Sequence, residues 1–274
     1  MQQGREFLRE LRLDRESAQQ DADPYRAGES VHDEHRVDPG GQLAACTAAP
    51  DLPGHGSGHA EPFTVDGAVE AIAAAIDTVG GRAVLVRHSL GGFMAIAAAG
   101  RYPDRVAALV AGGCTVRPRS VFVAAYRLVA RLAASRPDIA DRLSVRGFRR
   151  ALPEPIATAM TAGGVRCAVM PEVVGALSEL DVIAQIHRYP GPALLFNGAR
   201  DPFRVGERRF LATPVGEAEA GVATAMREPA VARLVVVPHR GHIGIMAETA
   251  TLAGLVTTAA ASAASSGRGR GTRP

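Results

Sequence analysis

The segment Val84-Leu85-Val86-Arg87-His88-Ser89-Leu90-Gly91-Gly92 puts a serine hydroxyl where an aliphatic run gives way to small residues. The run reads as a strand buried on both faces, and the residues after Ser89 read as a helix. A serine at so tight a strand-to-helix turn is held in a strained backbone conformation, its hydroxyl raised at the C-terminal edge of a sheet. Strand and helix approach that closely only if the neighbours are small, and Gly91 and Gly92 meet that need. The Leu90 N–H, at the helix N-terminus, then points to where an oxyanion would form. The chemistry this predicts is nucleophilic attack by Ser89. A hydroxyl is a poor nucleophile at neutral pH and needs a base within hydrogen-bond reach. An imidazole can take that proton and return it to a leaving group, with a carboxylate fixing its tautomer. The plainer reading of Ser89 is a helix N-cap.

Four motifs in order make the chain resemble the α/β-hydrolase family over roughly residues 43–262. Ala49-Pro50-Asp51-Leu52-Pro53-Gly54-His55-Gly56 is similar to the loop after that family's fourth strand, and His88-Ser89-Leu90-Gly91-Gly92 to its nucleophile elbow. Asn197-Gly198-Ala199-Arg200-Asp201-Pro202 resembles its acid-bearing loop, and Gly241-His242 its base-bearing loop. The family's order of Ser, acid, His is met by Ser89, Asp201 and His242. The resemblance implies that Ser89 is the nucleophile, His242 the general base and then acid, and Asp201 the orienting carboxylate. Leu90 supplies one oxyanion-hole N–H. It implies acyl transfer to water from a small or medium hydrophobic ester, thioester or lactone, with no cofactor and no metal. Haloperoxidase-like or carbon–carbon bond hydrolysis stays open. Haloalkane and epoxide hydrolysis are disfavoured, because those branches carry Asp where this chain has Ser89. The rival is a non-catalytic or degenerate chain of the same fold.

Plainer readings attach to the other residues too. Asp201 before a proline could start a turn. Asp104 and Asp181 are weaker acids for the role, since neither follows a strand run, and His239 competes with His242. His55 and His59 lie four apart in a glycine-rich loop and His32 and His35 in a charged segment, so neither pair is expected to bind metal. Two departures from the family stand out. Arg87 occupies the position two before the serine, where the family has Gly; a long cation there is either tolerated or damaging to activity. The front of the fold, with the central strand and the loop giving the second oxyanion donor, is expected to be missing, because residues 1–42 hold no strand run.

The elements that would position these residues follow from periodicity. A weak strand is predicted at Leu43–Ala49 and a helix near Asp66–Val79, stopped by Gly80-Gly81. Strands follow at Ala83–Arg87, Val106–Ala111, Pro192–Phe196 and Leu234–Val237, with helices at Leu90–Arg101 and Ile245–Ala261. Strands alternating with helices at these lengths predict an α/β fold: a mostly parallel sheet with helices on both faces. Between Thr115 and Arg188 only helical patterns occur, which predicts an inserted helical cap. The expected organisation is a disordered or atypical segment 1–42, core 43–114, cap 115–188, core 189–262 and a disordered tail 263–274.

Composition bounds the partners. The 274 residues are 47% apolar, enough for a sizeable core, and 22% charged, which excludes wholesale disorder. Net charge is +3 with every basic residue an Arg; these are scattered, so no nucleic-acid partner is expected. The uncharged stretch 249–267 is too weakly apolar to span a membrane, and no membrane partner is expected. Three widely spaced Cys and a charged start without an apolar core predict a reducing, cytoplasmic setting. Nothing in the sequence sets an oligomeric state.

Overall fold

Four aliphatic runs form one parallel sheet. β1 (Ala83–His88), β2 (Val106–Gly112), β3 (Pro192–Gly198) and β4 (Val231–Val237) are hydrogen-bonded in the order β1-β2-β3-β4. The computed structural model describes residues 46–116, 121–204, 207 and 231–268. The segment 1–42, with its expected lack of order, lies outside the described residues.

The two middle strands bury both faces, and their alternation divides the core. Leu109, Ala111, Ala193 and Leu195 join one cluster; Ala108, Val110, Leu194 and Phe196 join the other. The first cluster is covered by α1 (Val65–Thr78) and α2 (Leu90–Arg101). Helix α1 begins at Thr64, whose hydroxyl accepts from the Gly67 N–H at 3.0 Å, and buries the stripe Val69, Ile72 and Ile76. It ends at Gly80 and Gly81, both at positive φ. Helix α2 is buried almost all round, and its Ala-rich surface lets it lie close to the sheet.

Between β2 and β3 the described chain is helical throughout: α3 (Val121–Ser135), α4 (Pro137–Ala151), α5 (Glu154–Thr161), α6 (Met170–Glu179) and α7 (Val182–Arg188). The last of these packs on α2, where Gly100 leaves no room for a β-carbon: one would lie 2.5 Å from the Gln185 carbonyl oxygen. After β4 a 3-10 turn (Gly244–Ala247) leads into α8 (Thr249–Arg268), which covers the second cluster through Leu255, Ala259 and Ala263.

Two expectations are corrected. Residues 46–49 form no strand, although one was predicted over Leu43–Ala49, of which 43–45 lie outside the described residues; Cys46, Thr47 and Ala49 are small and exposed, and Pro50 ends the run. The closing helix passes its expected end at Ala261 and continues to Arg268, because no Gly or Pro stands between Leu255 and Ser266 and Ala263 is buried in the second cluster. Among the described residues no helix is long and apolar enough to cross a membrane.

A β-carbon at Gly112 would lie 2.2 Å from the buried Phe196 ring. Gly112→Ala is therefore expected to lower unfolding free energy by about 1–3 kcal/mol through overpacking, read from the urea midpoint. A shift within error would show that the ring yields without cost.

Candidate active site

Ser89 sits between β1 and α2 with φ 56° and ψ −124°, a region that a residue with a β-carbon rarely occupies. Three backbone bonds hold it there. Its N–H donates to the Gly112 carbonyl at 2.8 Å, tying the turn to β2. Its carbonyl accepts from the N–H groups of Gly92 at 2.9 Å and Phe93 at 3.2 Å, opening α2. The Leu90 N–H, in the first turn of α2, has no intrahelical acceptor. Glycines make the turn sterically possible: a β-carbon at Gly92 would lie 2.8 Å from Cys114 Sγ. Arg87 fits by laying its stem along Gly91 and donating from Nη1 to its neighbour Val86 O at 3.2 Å.

The loops after β3 and β4 bring the other two groups. His242 Nε2 lies 2.8 Å from Ser89 Oγ, and its Nδ1 lies 2.8 Å from Asp201 Oδ2. A carboxylate can only accept, so Nδ1 carries the proton and Nε2 presents a lone pair to the hydroxyl. Asp201 is 2% exposed, and its Oδ1 accepts from the Phe203 N–H at 2.7 Å. The loops are tied to each other by Ala199 N–H to Val237 O and Arg200 N–H to Arg240 O, both 2.8 Å. Hydroxyl, imidazole and carboxylate in this series can activate the oxygen as a nucleophile.

The structure adds residues that sequence reasoning passed over. His88 donates from Nε2 to the backbone carbonyl of His242 at 2.9 Å, and its ring lies 4.6 Å from the His242 ring and stacks on Phe196. Burial, with the nearby His242 adding to it, pushes the His88 pKa down to about 4, so the ring is neutral. Gly113, at φ +61°, seats both rings: a β-carbon there would come within 2.6 Å of each. Asn197, fully buried, accepts from the Gly113 N–H at 3.1 Å and donates to Thr115 Oγ1 at 2.8 Å and Glu207 Oε2 at 2.9 Å. Glu207 in turn pairs with Arg204. Phe203 lies 4.5 Å from the His242 ring, and Tyr126 of α3 meets Phe203 edge-on, so the inserted helices reach over the site. Of these, His88 and Asn197 stand in segments the sequence singles out, the elbow and the acid-bearing loop; the others carry no local signal.

The rival residues lie elsewhere. Asp181 caps α7 by accepting from the Ala184 N–H at 3.0 Å; Asp104 sits in a 3-10 turn, and His239 is exposed in a turn at φ 61°. His55 and His59 each bond within their own loop, to Pro53 O and Gly56 O. His32 and His35 lie outside the described residues. Among the described residues no three His, Cys, Asp or Glu side chains gather closely enough to hold a metal ion.

Comparison with known proteins bears on the family and the fold. A model of the alpha/beta hydrolase family matches residues 29–254. A lipase of Mycobacterium tuberculosis, LipV, is 54% identical over 65 residues, 23% of this chain and 25% of the relative. A pimeloyl-[acyl-carrier protein] methyl ester esterase of Neisseria meningitidis is 46% identical over 63 residues, 23% of each chain. The matched stretch is thus about a quarter of the length of these curated relatives. The enol-lactonase of Burkholderia xenovorans superposes with a TM-score of 0.54 at 18% identity, over 76% of this chain and 78% of that one, a likeness of fold.

The depressed pKa of His88 makes stability depend on pH. Between the ordinary imidazole value near 6.5 and about 4, the unfolded chain binds a proton at this residue that the folded chain does not. Its stabilising contribution is therefore complete above about pH 6.5 and drains away as pH falls towards 4. His88→Gln keeps an N–H donor but cannot titrate, so its urea midpoint is expected to fall less steeply than wild type across that window. Equal slopes would count against a neutral, buried His88.

Proposed function

This chain belongs to the alpha/beta hydrolase family, and on that premise we propose that it is a serine hydrolase working through an acyl-enzyme on Ser89. The observation that carries the reading is the run Ser89 Oγ, His242 Nε2, His242 Nδ1, Asp201 Oδ2, with 2.8 Å at both hydrogen bonds. Residues 153 and 41 positions apart meet in that line.

The steps follow from the protons. Ser89 Oγ attacks a substrate carbonyl while its proton passes to His242 Nε2. Asp201 stabilises the imidazolium and does not itself take the proton. The oxyanion forms near the Leu90 N–H at the start of α2, where the helix dipole favours negative charge. Collapse expels the alcohol or thiol, which leaves with the His242 proton. Water, deprotonated by His242, then attacks the acyl carbon, and Ser89 departs with its proton restored.

The substrate class we propose is a small or medium ester, thioester or lactone with a hydrophobic acyl or alcohol part. The matches to a lipase and a methyl ester esterase favour an ester. The aromatic pair Phe203 and Tyr126 above His242 favours an apolar group on the substrate. A second reading, the fold without catalysis, is favoured by Arg87 at the elbow, and one experiment separates the two.

Intact-mass analysis after treatment with a fluorophosphonate is expected to show one adduct on the wild type and none on Ser89→Ala. No adduct on a cooperatively folding wild-type chain would overturn the hydrolase reading. Asp201→Asn leaves the hydrogen-bond geometry nearly in place but favours the wrong tautomer of His242. On any ester the wild type hydrolyses, it is expected to lower kcat by about four orders of magnitude.

A further inference from the structure

Helices α3 and α4 form a hairpin joined through Arg136 alone. Its outer surface carries large aliphatic side chains: Leu128 and Leu132 on α3 are 61% and 62% exposed, and Leu143 on α4 is 63% exposed. Val129 and Ile139 join them. Leu128 and Leu132, like Ile139 and Leu143, are four apart and so share a helix face. Helix α4 buries none of its 15 residues. Water-facing leucines on adjoining helices are not the ordinary scatter of surface apolar residues.

The charge on the same hairpin is as marked, a clustering that corrects the expectation of scattered Arg residues. Residues 121–151 hold seven Arg and two Asp, a net charge of +5, against +3 for the whole chain. Among the described residues none of the seven Arg is in an ion pair. One of the two acids, Asp141, faces inward and accepts from the Cys167 N–H at 2.6 Å.

We propose that this hairpin docks the protein on an anionic lipid surface, its aliphatic side chains entering the headgroup boundary and its Arg side chains meeting lipid phosphates. Arg and exposed Leu on one amphipathic element is the pattern that lies in a membrane interface. A second copy of the chain fits poorly, since a symmetric contact would face one +5 hairpin with another. A protein partner fits less well, because the exposed apolar side chains are Leu, Val and Ile, of which Leu and Val are scarce among the anchors of protein interfaces. The inference departs from the expectation of no membrane partner, which weighed only spanning segments. It does not depend on the hydrolase reading. It also gives α3, whose Tyr126 reaches over the site, one side towards lipid and one towards Phe203.

The test is co-sedimentation of the full chain with vesicles of phosphatidylcholine alone or mixed with phosphatidylglycerol. Binding is expected only to the mixed vesicles, falling about tenfold or more as salt rises from about 50 mM to about 500 mM. The exposed doubles Leu128→Ser/Leu132→Ser and Arg127→Glu/Arg131→Glu, checked for wild-type unfolding midpoints, are each expected to lose most of that binding. Ser89→Ala is expected to bind as wild type does, which separates this inference from the catalytic one. Three results would each overturn it: a monomer that sediments with neither vesicle; self-association abolished by the leucine double; or retention on immobilised polyglutamate without vesicle binding, which would point to an acidic protein.

Discussion

Everything at the site depends on holding one residue in a conformation it would not choose. At φ 56° and ψ −124°, Ser89 costs of the order of 1–3 kcal/mol relative to a relaxed backbone. The conformation persists because both its backbone groups are committed, the N–H to β2 and the carbonyl to the first turn of α2. Neither bond could form if the helix stood further from the sheet. Gly92 is the residue that lets it come close, since a β-carbon there would lie 2.8 Å from Cys114 Sγ and 3.0 Å from the Gly112 carbonyl oxygen. Strain at the serine and the missing β-carbon near it are one feature seen from two sides.

A second constraint governs the imidazole. The carboxylate sets the tautomer of His242, but the position of its backbone is set from below. The His242 carbonyl accepts from His88, the residue beside the serine, so both hydrogen bonds between these neighbours are donated from the elbow and accepted by His242. Gly113 leaves the space for both rings, and its N–H is turned towards the buried Asn197. Asn197 stands at the end of β3, four residues before Asp201. The ends of β2 and β3 are thus coupled by a buried hydrogen bond between Gly113 and Asn197, which removing either partner would leave unmet. His88 at the end of β1 joins them by packing and keeps a buried Nδ1 with no hydrogen-bond partner among the described residues.

The sequence was most legible where chemistry and backbone geometry coincide. The apolar run into Ser89, followed by glycines, specified strand, turn and helix together, and α2 begins and ends where periodicity placed it. Parallel strands were legible because aliphatic runs between helices leave few other folds. The expectation of burial on both faces holds for β2 and β3 but not for the run into Ser89. In β1 Leu85 alone is buried and Val86 is exposed, because β1 has no strand on its far side among the described residues. The helical insertion was legible in outline but its internal packing was not, because Ala-rich helices with short links carry little information about which face turns inward. The roles of His88 and Gly113 were invisible for a different reason. Their partners lie 154 and 129 residues away in the chain, and no local pattern encodes a contact of that range. The part of the expected strand that lies among the described residues, 46–49, failed because small, exposed side chains give too little burial to hold a strand.

Arg87 shows how a departure from a family pattern can be absorbed. In a parallel ladder successive residues turn their backbone groups to opposite neighbours. Ser89 bonds to Gly112, so Arg87 shares its direction towards β2, while Val84, Val86 and His88 direct theirs the other way. Among the described residues β1 has no strand on that side. The Arg87 guanidinium returns to donate to the Val86 carbonyl, one of the acceptors that edge leaves open, while its stem covers Gly91. A side chain larger than the elbow's glycine-like pattern calls for thus satisfies part of the edge beside it. A glycine at 87 would free the elbow but leave that carbonyl to other donors. The tolerance of the elbow for Arg and the openness of the β1 edge are therefore linked, and each is to be read with the other.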